Sequence, residues 1–375
     1  MRVLFIFPFC AKEINSIAYG PIYLGSIGHD ILVLTAQNAK SLKGTVKAVK
    51  SEIIGGTEFY RPYKLSKDIV ENKKEYWKDV VIKINDFNPD VVVGFGVSNH
   101  KLIFKIKNHF HLPLVYFLEY LNKQKPFPPI KGRKYLRRYL TPIYNFISKR
   151  FLNRIVNNSN AIMYSYFGDI AYSKKIKPYG ENLYYVPWCN EIGNFKLEQQ
   201  KVKETGIYIG SLEKFKNAKE LLTAIPLILN NTKTKKFTIV GPGYYAEEIK
   251  KLALEYENRL IYYESIPREK ALQLIAESGY GFTPVKDSGL GFIGDCWATK
   301  TPLITTHDLN GFLKNNIDTI ISPSYIELPQ IINSLLESKT NYLRMQTEGY
   351  ERYKNNYSAK AVGENYLKIF NNLWK

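Results

Sequence analysis

Short apolar runs alternate along the first half of the chain with longer segments whose apolar residues have helical spacing. The runs are Val3–Pro8, Ile31–Thr35, Val91–Gly96, Leu114–Leu118 and Ala161–Ser165. Each run is continuous, as in strands that are buried on both faces of a parallel sheet. Strands that alternate with helices, such as the helix expected in Asp68–Asp86, indicate a doubly wound α/β domain.

The same alternation restarts after residue 200. Strands are predicted at Gly206–Ile209, Phe237–Val240, Leu260–Tyr263, Gly279–Pro284, Leu303–Thr306 and Thr319–Ser322. Two helices are predicted in Arg344–Leu373, with a break near Asn356–Ser358. Periodicity is lost across Val186–Gln200, which places a domain boundary there. The chain of 375 residues is long enough for two α/β cores.

Composition narrows the classes of partner and site. The formal net charge is +19, from 53 Lys+Arg against 34 Asp+Glu, and it favours anionic partners. Cys10, Cys189 and Cys296 are far apart, so they predict neither a disulfide framework nor a zinc site. The sequence lacks a run of about 18 apolar residues, so no transmembrane helix is expected. The first apolar run predicts a strand rather than a signal peptide, and we expect a cytoplasmic protein.

Two loops of the second half carry candidate binding chemistry because each follows a predicted strand. The first loop contains Gly210, Ser211, Lys214 and Lys216. Lysines beside a helix N-terminus suit a diphosphate, although any polar loop of this lysine-rich chain has a similar composition. The second loop contains Gly241 and Gly243, which permit close backbone approach to a ligand or simply form a tight turn.

A third loop, residues 283–295, is rich in glycine and has an aspartate near each end. Its glycines expose backbone N–H groups that bind phosphate or sugar oxygens, and one carboxylate accepts hydrogen bonds from two ribose hydroxyls. The alternative is that Asp287 caps a helix and Asp295 is a solvated helix residue. Spacing alone does not separate these two interpretations. The candidate residues are Asp287, Gly289, Leu290, Gly291, Phe292 and Asp295.

Six segments occur in an order that resembles the family-four group of GT-B glycosyltransferases (glycosyl transferases group 1). DSGLGFIGDCWATKTP at 287–302 is similar to the family's E-G-F-G-x-x-x-x-E-A-x-A-x-G-x-P loop. The other five segments are IGHDILVLT, YVPWCNEIGNF, YIGSLEKFKNAKELLTAI, IVGPGYYAEEIKKLA and NNYSAKAVGENYLKIFNNL. Each match is weak by itself, but six in the same order cover nearly the whole chain.

The resemblance implies two Rossmann-like domains facing a central cleft. Residues 1–190 would bind the acceptor, residues 191–355 would bind the nucleotide sugar, and a helix at 356–375 would cross back to the first domain. It also implies a retaining, metal-independent transferase that uses a UDP- or GDP-linked sugar, with no other cofactor. The acceptor would be a glycan or a lipid-linked glycan, as in cell-surface polysaccharide or glycoconjugate synthesis.

The resemblance also implies roles for individual residues. Asp295 would hold the nucleotide ribose, Asp287 would contact the donor sugar, and Lys216 would neutralise the departing diphosphate. The family's two glutamates are aspartates here, and its diphosphate arginine is Ser211, with Lys300 in place of a glycine. The remaining donor contacts implied by position are Gly20, Gly210, Ser211, Lys214, Gly241, Gly243, Ile266, Gly289, Leu290, Gly291 and Phe292.

Two further features lie in the first half. Glu119 follows an apolar run, where it would orient or deprotonate the acceptor hydroxyl, or simply be a solvated loop acid. The segment Lys131–Arg154 is basic and aromatic, which suits an anionic lipid surface, although a domain helix with solvated charges has the same pattern. Its proposed membrane-facing residues are Lys134, Arg137, Arg138, Lys149 and Arg150.

Two alternatives stay open at this level. A nucleotide-sugar 2-epimerase shares the fold, but it needs several acids and histidines in the cleft, and the chain has five histidines. A non-catalytic, basic membrane- or nucleic-acid-binding protein with a degenerate transferase fold would account for the charge. The sequence contains no recognised nucleic-acid-binding motif, so nucleic acid is not the expected partner.

Overall fold

The computed structural model describes residues 1–7, 18–41, 44–96, 99–118, 150, 153–165, 182–190, 192, 195, 201–284, 286 and 290–374. The chain forms two compact units. Unit 1 comprises Met1–Cys189 and Ala359–Lys375, and unit 2 comprises Asn190–Ser358. The sequence placed the divisions after residues 190 and 355, whereas the structure places them after residues 189 and 358.

The described strands of unit 1 are β1 (Arg2–Ile6), β2 (Asp30–Ser41), β3 (Gly44–Lys47), β4 (Ser51–Ile54), β5 (Thr57–Leu65), β6 (Val91–Phe95), β7 (Leu114–Leu118), β8 (Ala161–Tyr164) and β9 (Leu183–Tyr185). These strands form one sheet with the order β4-β5-β2-β1-β6-β7-β8-β9, and β3 pairs with β2. Strands β1, β2, β6, β7, β8 and β9 pair in parallel, as does β5 with β2.

Helices cover both faces of this sheet because successive strand residues point to opposite sides. Val3 and Phe5 face one layer, which includes α1 (Tyr19–Ser26) and the terminal helix α11 (Ala359–Asn372). Leu4 and Ile6 face the other layer. That layer contains α2 (Ser66–Glu71), α3 (Trp77–Phe87) and α4 (His100–Phe110).

The sequence missed part of unit 1. It predicted a strand at Ile31–Thr35 and no further strand before Val91, but β2 continues to Ser41 and is followed by β3, β4 and β5. β3 and β4 pair antiparallel to their neighbours, and β4 alternates exposed and half-buried positions. Such strands lack a continuous apolar run. The predicted helix Asp68–Asp86 is interrupted where Asn72 adopts a left-handed conformation (φ 50°).

The strands in the described part of unit 2 are β10 (Val202–Ile209), β11 (Lys236–Val240), β12 (Leu260–Tyr263), β13 (Ser278–Thr283), β14 (Leu303–Thr305) and β15 (Ile320–Ile321). They form a parallel sheet with the order β12-β11-β10-β13-β14-β15. The helices are α5 (Lys219–Asn231), α6 (Ala246–Glu255), α7 (Arg268–Glu277), α8 (Gly291–Ala298), α9 (Leu328–Glu337) and α10 (Lys339–Asn356).

The end of the chain follows the predicted pattern. α10 ends at Asn356 and α11 begins at Ala359, so the helix break lies where it was predicted. α11 returns the chain to unit 1, where Val362, Tyr366 and Phe370 enter its core. Within the described residues, no helix has the length and apolarity needed to cross a bilayer.

Candidate functional site

The strand order of unit 2 reverses beside β10. β11 and β12 extend the sheet to one side of β10, whereas β13 lies on the other side. In open α/β sheets, ligands bind outside the carboxyl ends of the strands at such a switch point. The loops that leave β10 and β13 there are the first and third candidate loops of the sequence.

The first two candidate loops pack backbone against backbone. Leu212 N–H donates to Pro242 O (2.8 Å), and Tyr245 N–H donates to Leu212 O (3.0 Å). A Cβ on Gly241, which has φ 147°, would lie 1.9 Å from the main-chain oxygen of Gly210. A Cβ on Gly243, which has φ 151°, would lie 2.6 Å from the carbonyl carbon of Leu212. These two glycines are therefore required by the contact between the loops, whatever they also bind.

Lys214 and Lys216 lie in a single 3-10 turn, Lys214–Lys216, just before α5. Lys214 Nζ is 4.0 Å from the centre of the Tyr244 ring, and Lys216 Nζ is 5.5 Å from that of Phe215. The turn ends at Asn217, in a left-handed conformation, whose Nδ2 donates to Pro284 O (3.1 Å) at the end of β13. The structure thus joins the lysine loop to the start of the glycine-rich loop.

The described part of the third loop forms the beginning of α8. Leu290 is its N-cap and Gly291 its first residue, and a Cβ on Gly291 would meet no atom of the described residues within 4 Å. Phe292 packs on Tyr208 at 5.7 Å between ring centres. The backbone at Gly291 is therefore open to a ligand, whereas the Phe292 side chain is engaged in the core. Asp287 and Gly289 lie outside the described residues.

Asp295 is not a solvated helix residue. It is 5% exposed, and both of its carboxylate oxygens accept hydrogen bonds from the Arg268 guanidinium. Asn190 Nδ2 donates to Asp295 Oδ1 (3.2 Å) and to Gly291 O (2.9 Å). The carboxylate is therefore held from two sides, by the first residue of α7 and by the residue at which unit 2 begins.

Arg268 and Asn190 were not singled out in the sequence. Arg268 is 27 positions before Asp295 and Asn190 is 105 positions before it, so no local pattern connects them. Ile266, a predicted donor contact, is half-buried two residues before Arg268. A basic residue two positions after Ile266, a predicted donor contact, was the available signal.

A half-buried lysine lies at the carboxyl ends of α7 and α8. Lys201 Nζ donates to Ala276 O (2.7 Å), Thr299 O (3.2 Å) and Thr301 Oγ1 (2.8 Å). The carbonyls of Ala276 and Thr299 are at the ends of the two helices, where helix dipoles favour a cation. Burial lowers the pKa of Lys201 to about 7, and Cys296 opposes the shift.

Only two of the site residues predicted in unit 1, Gly20 and Arg150, lie within the described residues. Gly20 lies in the first turn of α1, where a Cβ would come within 2.5 Å of Tyr366, so helix packing by itself requires glycine there. Arg150 is exposed. The other predicted residues of unit 1 lie outside the described residues: Glu119, Lys134, Arg137, Arg138 and Lys149. Among the residues that the structure describes, no cluster of histidine, cysteine and carboxylate groups could hold a metal ion.

No family model matches the chain, and no curated protein matches its sequence. Solved structures do match its fold. Sucrose-phosphate synthase from Thermosynechococcus elongatus superposes with a TM-score of 0.69 at 13% identity, over 99% of this chain and 98% of that chain. Anabaena HepE in complex with UDP gives 0.64 at 11% identity, over 99% and 100%.

A third match is a mutant of S. aureus TarM in complex with Fondaparinux, alpha-GlcNAc-glycerol and UDP. It gives a TM-score of 0.57 at 14% identity, over 85% of this chain and 61% of that chain. At these identities the likeness concerns the fold. The chain therefore has the fold of the GT-B glycosyltransferases, with two Rossmann-like α/β domains and a C-terminal helix that returns to the first.

Proposed function

We propose that the protein is a retaining, metal-independent glycosyltransferase that moves a sugar from a nucleoside-diphosphate sugar to a glycan or lipid-linked acceptor. The observation that carries the proposal is the convergence of three motif-bearing loops at the switch point of unit 2. The likeness to structures solved with UDP supports the same class of donor.

The donor diphosphate is proposed to lie between the lysine turn and the start of α8. Lys214 and Lys216 supply positive charge on one side, and the first N–H groups of α8 supply it on the other. Gly291 keeps the helix N-terminus open to close approach, since no side chain of the described residues comes within 4 Å of where its Cβ would be. Cations fixed beside the diphosphate stabilise the negative charge that develops on it as its bond to the sugar breaks. In other transferases a metal ion stabilises this charge.

The acceptor is proposed to bind unit 1, with Glu119 as the residue that orients or deprotonates its hydroxyl. For a lipid-linked acceptor, the basic segment would bring the enzyme to an anionic membrane surface during polysaccharide or glycoconjugate synthesis. Flotation with phosphatidylglycerol vesicles at low salt tests this part. We expect binding that falls with added salt and with alanine at Lys134, Arg137 and Arg138. Equal flotation with neutral vesicles, or none with either, would remove the membrane role.

A thermal-shift panel of UDP- and GDP-linked sugars tests the donor class. A ligand that binds only the folded state adds RT ln(1 + [L]/Kd), or about 2.7 kcal/mol at a concentration of 100 Kd. We expect at least one nucleotide sugar to raise the unfolding temperature without added metal, and the same donor to label an acceptor glycan. No shift with any member of the panel would refute the assignment.

A further inference from the structure

The guanidinium of Arg268 covers the carboxylate of Asp295 on unit 2. Half of the Arg268 side chain is exposed, whereas only 7% of the Asp295 side chain is. This part of the surface therefore presents the guanidinium cation, and the carboxylate lies beneath it.

The Asp295 carboxylate is also nearly saturated. An ionised carboxylate has about four lone-pair sites, and three hydrogen bonds already reach it, from Arg268 twice and Asn190 once. The main-chain oxygen of Asp295 accepts a hydrogen bond from Thr299 Oγ1 (2.8 Å). Two ribose hydroxyls would need acceptor sites that these partners occupy.

The Asn190 side chain, which donates to Asp295, is held against α8. A Cβ on Gly294 would lie 2.4 Å from Cγ of Asn190, so the Asn190 side chain packs directly on the backbone of α8. Aspartate is one methylene shorter than glutamate, so its carboxylate stays close to the helix. Only 7% of the Asp295 side chain is exposed, so displacing Arg268 would leave a buried carboxylate without its cation, and this disfavours a ligand that must displace Arg268.

We propose that Arg268 is the residue that contacts the nucleoside diphosphate of the donor, through oxygen acceptors of the ligand, and that Asp295 is a positioning residue that holds the guanidinium. The inference rests on the donor class proposed above and changes the role of Asp295 within it. A bidentate carboxylate fixes the orientation of a guanidinium before the ligand arrives, which reduces the entropy lost on binding.

The test measures the dissociation constants of UDP and GDP by calorimetry for the full chain and its variants. For whichever nucleotide the wild type binds, we expect Arg268→Ala to weaken binding at least tenfold, as for the loss of a hydrogen bond to a charged group. Lys270→Ala is the control, because Lys270 is an exposed cation on the same helix and donates a hydrogen bond to Gln273 rather than to Asp295. It should leave the affinity unchanged.

Two further variants separate a loss of ligand contact from misfolding, and test whether Asp295 positions Arg268. Arg268→Lys keeps a positive charge beside Asp295 but lacks the planar fork, so it should keep the unfolding temperature and still weaken binding roughly threefold or more. Asp295→Asn should weaken binding as Arg268→Ala does, and combining the two should add little. A purely structural aspartate would not show this loss of additivity.

The outcomes separate the inference from the proposed function. No binding of UDP or GDP by the wild type would overturn both. If the wild type binds a nucleotide and Arg268→Ala leaves the affinity unchanged or raises it, only the inference is overturned. Arg268 would then make no contact with the nucleotide, or would block access to Asp295. Additive losses in the double variant would assign ligand contact to Asp295 itself and would also overturn it.

Discussion

The half-buried Lys201 makes the stability of unit 2 depend on pH in a direction that can be calculated. Its pKa is about 7 in the folded protein, against 10.5 for an ordinary lysine. Between these values the unfolded chain binds a proton that the folded chain has released. The unfolded state therefore holds more protons, and the free energy of unfolding contributed by Lys201 rises with pH from about 7 to about 10.5.

The size of the effect follows from the two pKa values. Each unit of pKa difference corresponds to about 1.4 kcal/mol, so the contribution rises by roughly 2 kcal/mol from about pH 7 to about pH 9. In a unit of this size, that corresponds to about 4–8 °C in unfolding temperature. Other groups titrate in the same range, so the quantity to compare is the difference between the wild type and Lys201→Met.

Methionine keeps most of the length of lysine and carries no charge. Lys201→Met leaves the oxygens of Ala276, Thr299 and Thr301 without this donor, so we expect it to be less stable than the wild type near neutral pH. Its deficit should then grow by roughly 2 kcal/mol by about pH 9, because the variant cannot gain from deprotonation.

Scanning calorimetry of unit 2 unfolding at several pH values measures this difference. Lys203→Met, a nearby lysine that lies over the Tyr342 ring, is the matched control and should show a constant difference from the wild type. A deficit for Lys201→Met that stays constant from about pH 7 to about pH 9 would show that the Lys201 amine keeps its proton. The assignment of a lowered pKa would then be wrong.

Two predictions concern the candidate donor site. Gly241→Ala should lower the unfolding temperature, because the added Cβ would collide with the main-chain oxygen of Gly210. Gly291→Ala should leave the unfolding temperature unchanged but weaken nucleotide-sugar binding at the N-terminus of α8. Equal unfolding temperatures of the two variants in calorimetry would contradict this difference. Lys216→Ala should weaken the binding of a nucleoside diphosphate roughly tenfold or more. The control variant Lys219→Ala, at an exposed position in the first turn of α5, should keep the wild-type affinity. Calorimetric titration with UDP and GDP compares the two variants, and equal affinities would rule out Lys216 as a diphosphate ligand.

Local patterns were sufficient for the parallel strands that have a continuous apolar run and for the helix break after Asn356, but not for the parallel strand β5. A strand buried on both faces needs a continuous apolar run, and such runs are visible without knowledge of their neighbours. Strands at the margin of a sheet need only one apolar face, so β3 and β4 were missed. Their positions depend on pairing with β2 and β5, which local periodicity does not encode.

The candidate site divides in the same way. The glycines and lysines of its loops were recognisable because their chemistry is local: a turn, a helix start and a positive charge adjacent in sequence. The sequence by itself determined two α/β units and which loops follow their strands. Only the tertiary structure decided that Arg268 and Asn190 meet at Asp295 and that Lys201 lies at the carboxyl ends of α7 and α8, because those contacts join segments 27 to 105 positions apart. Burial and pairing, which set the character of an ionisable group, are properties of such contacts and not of residue type.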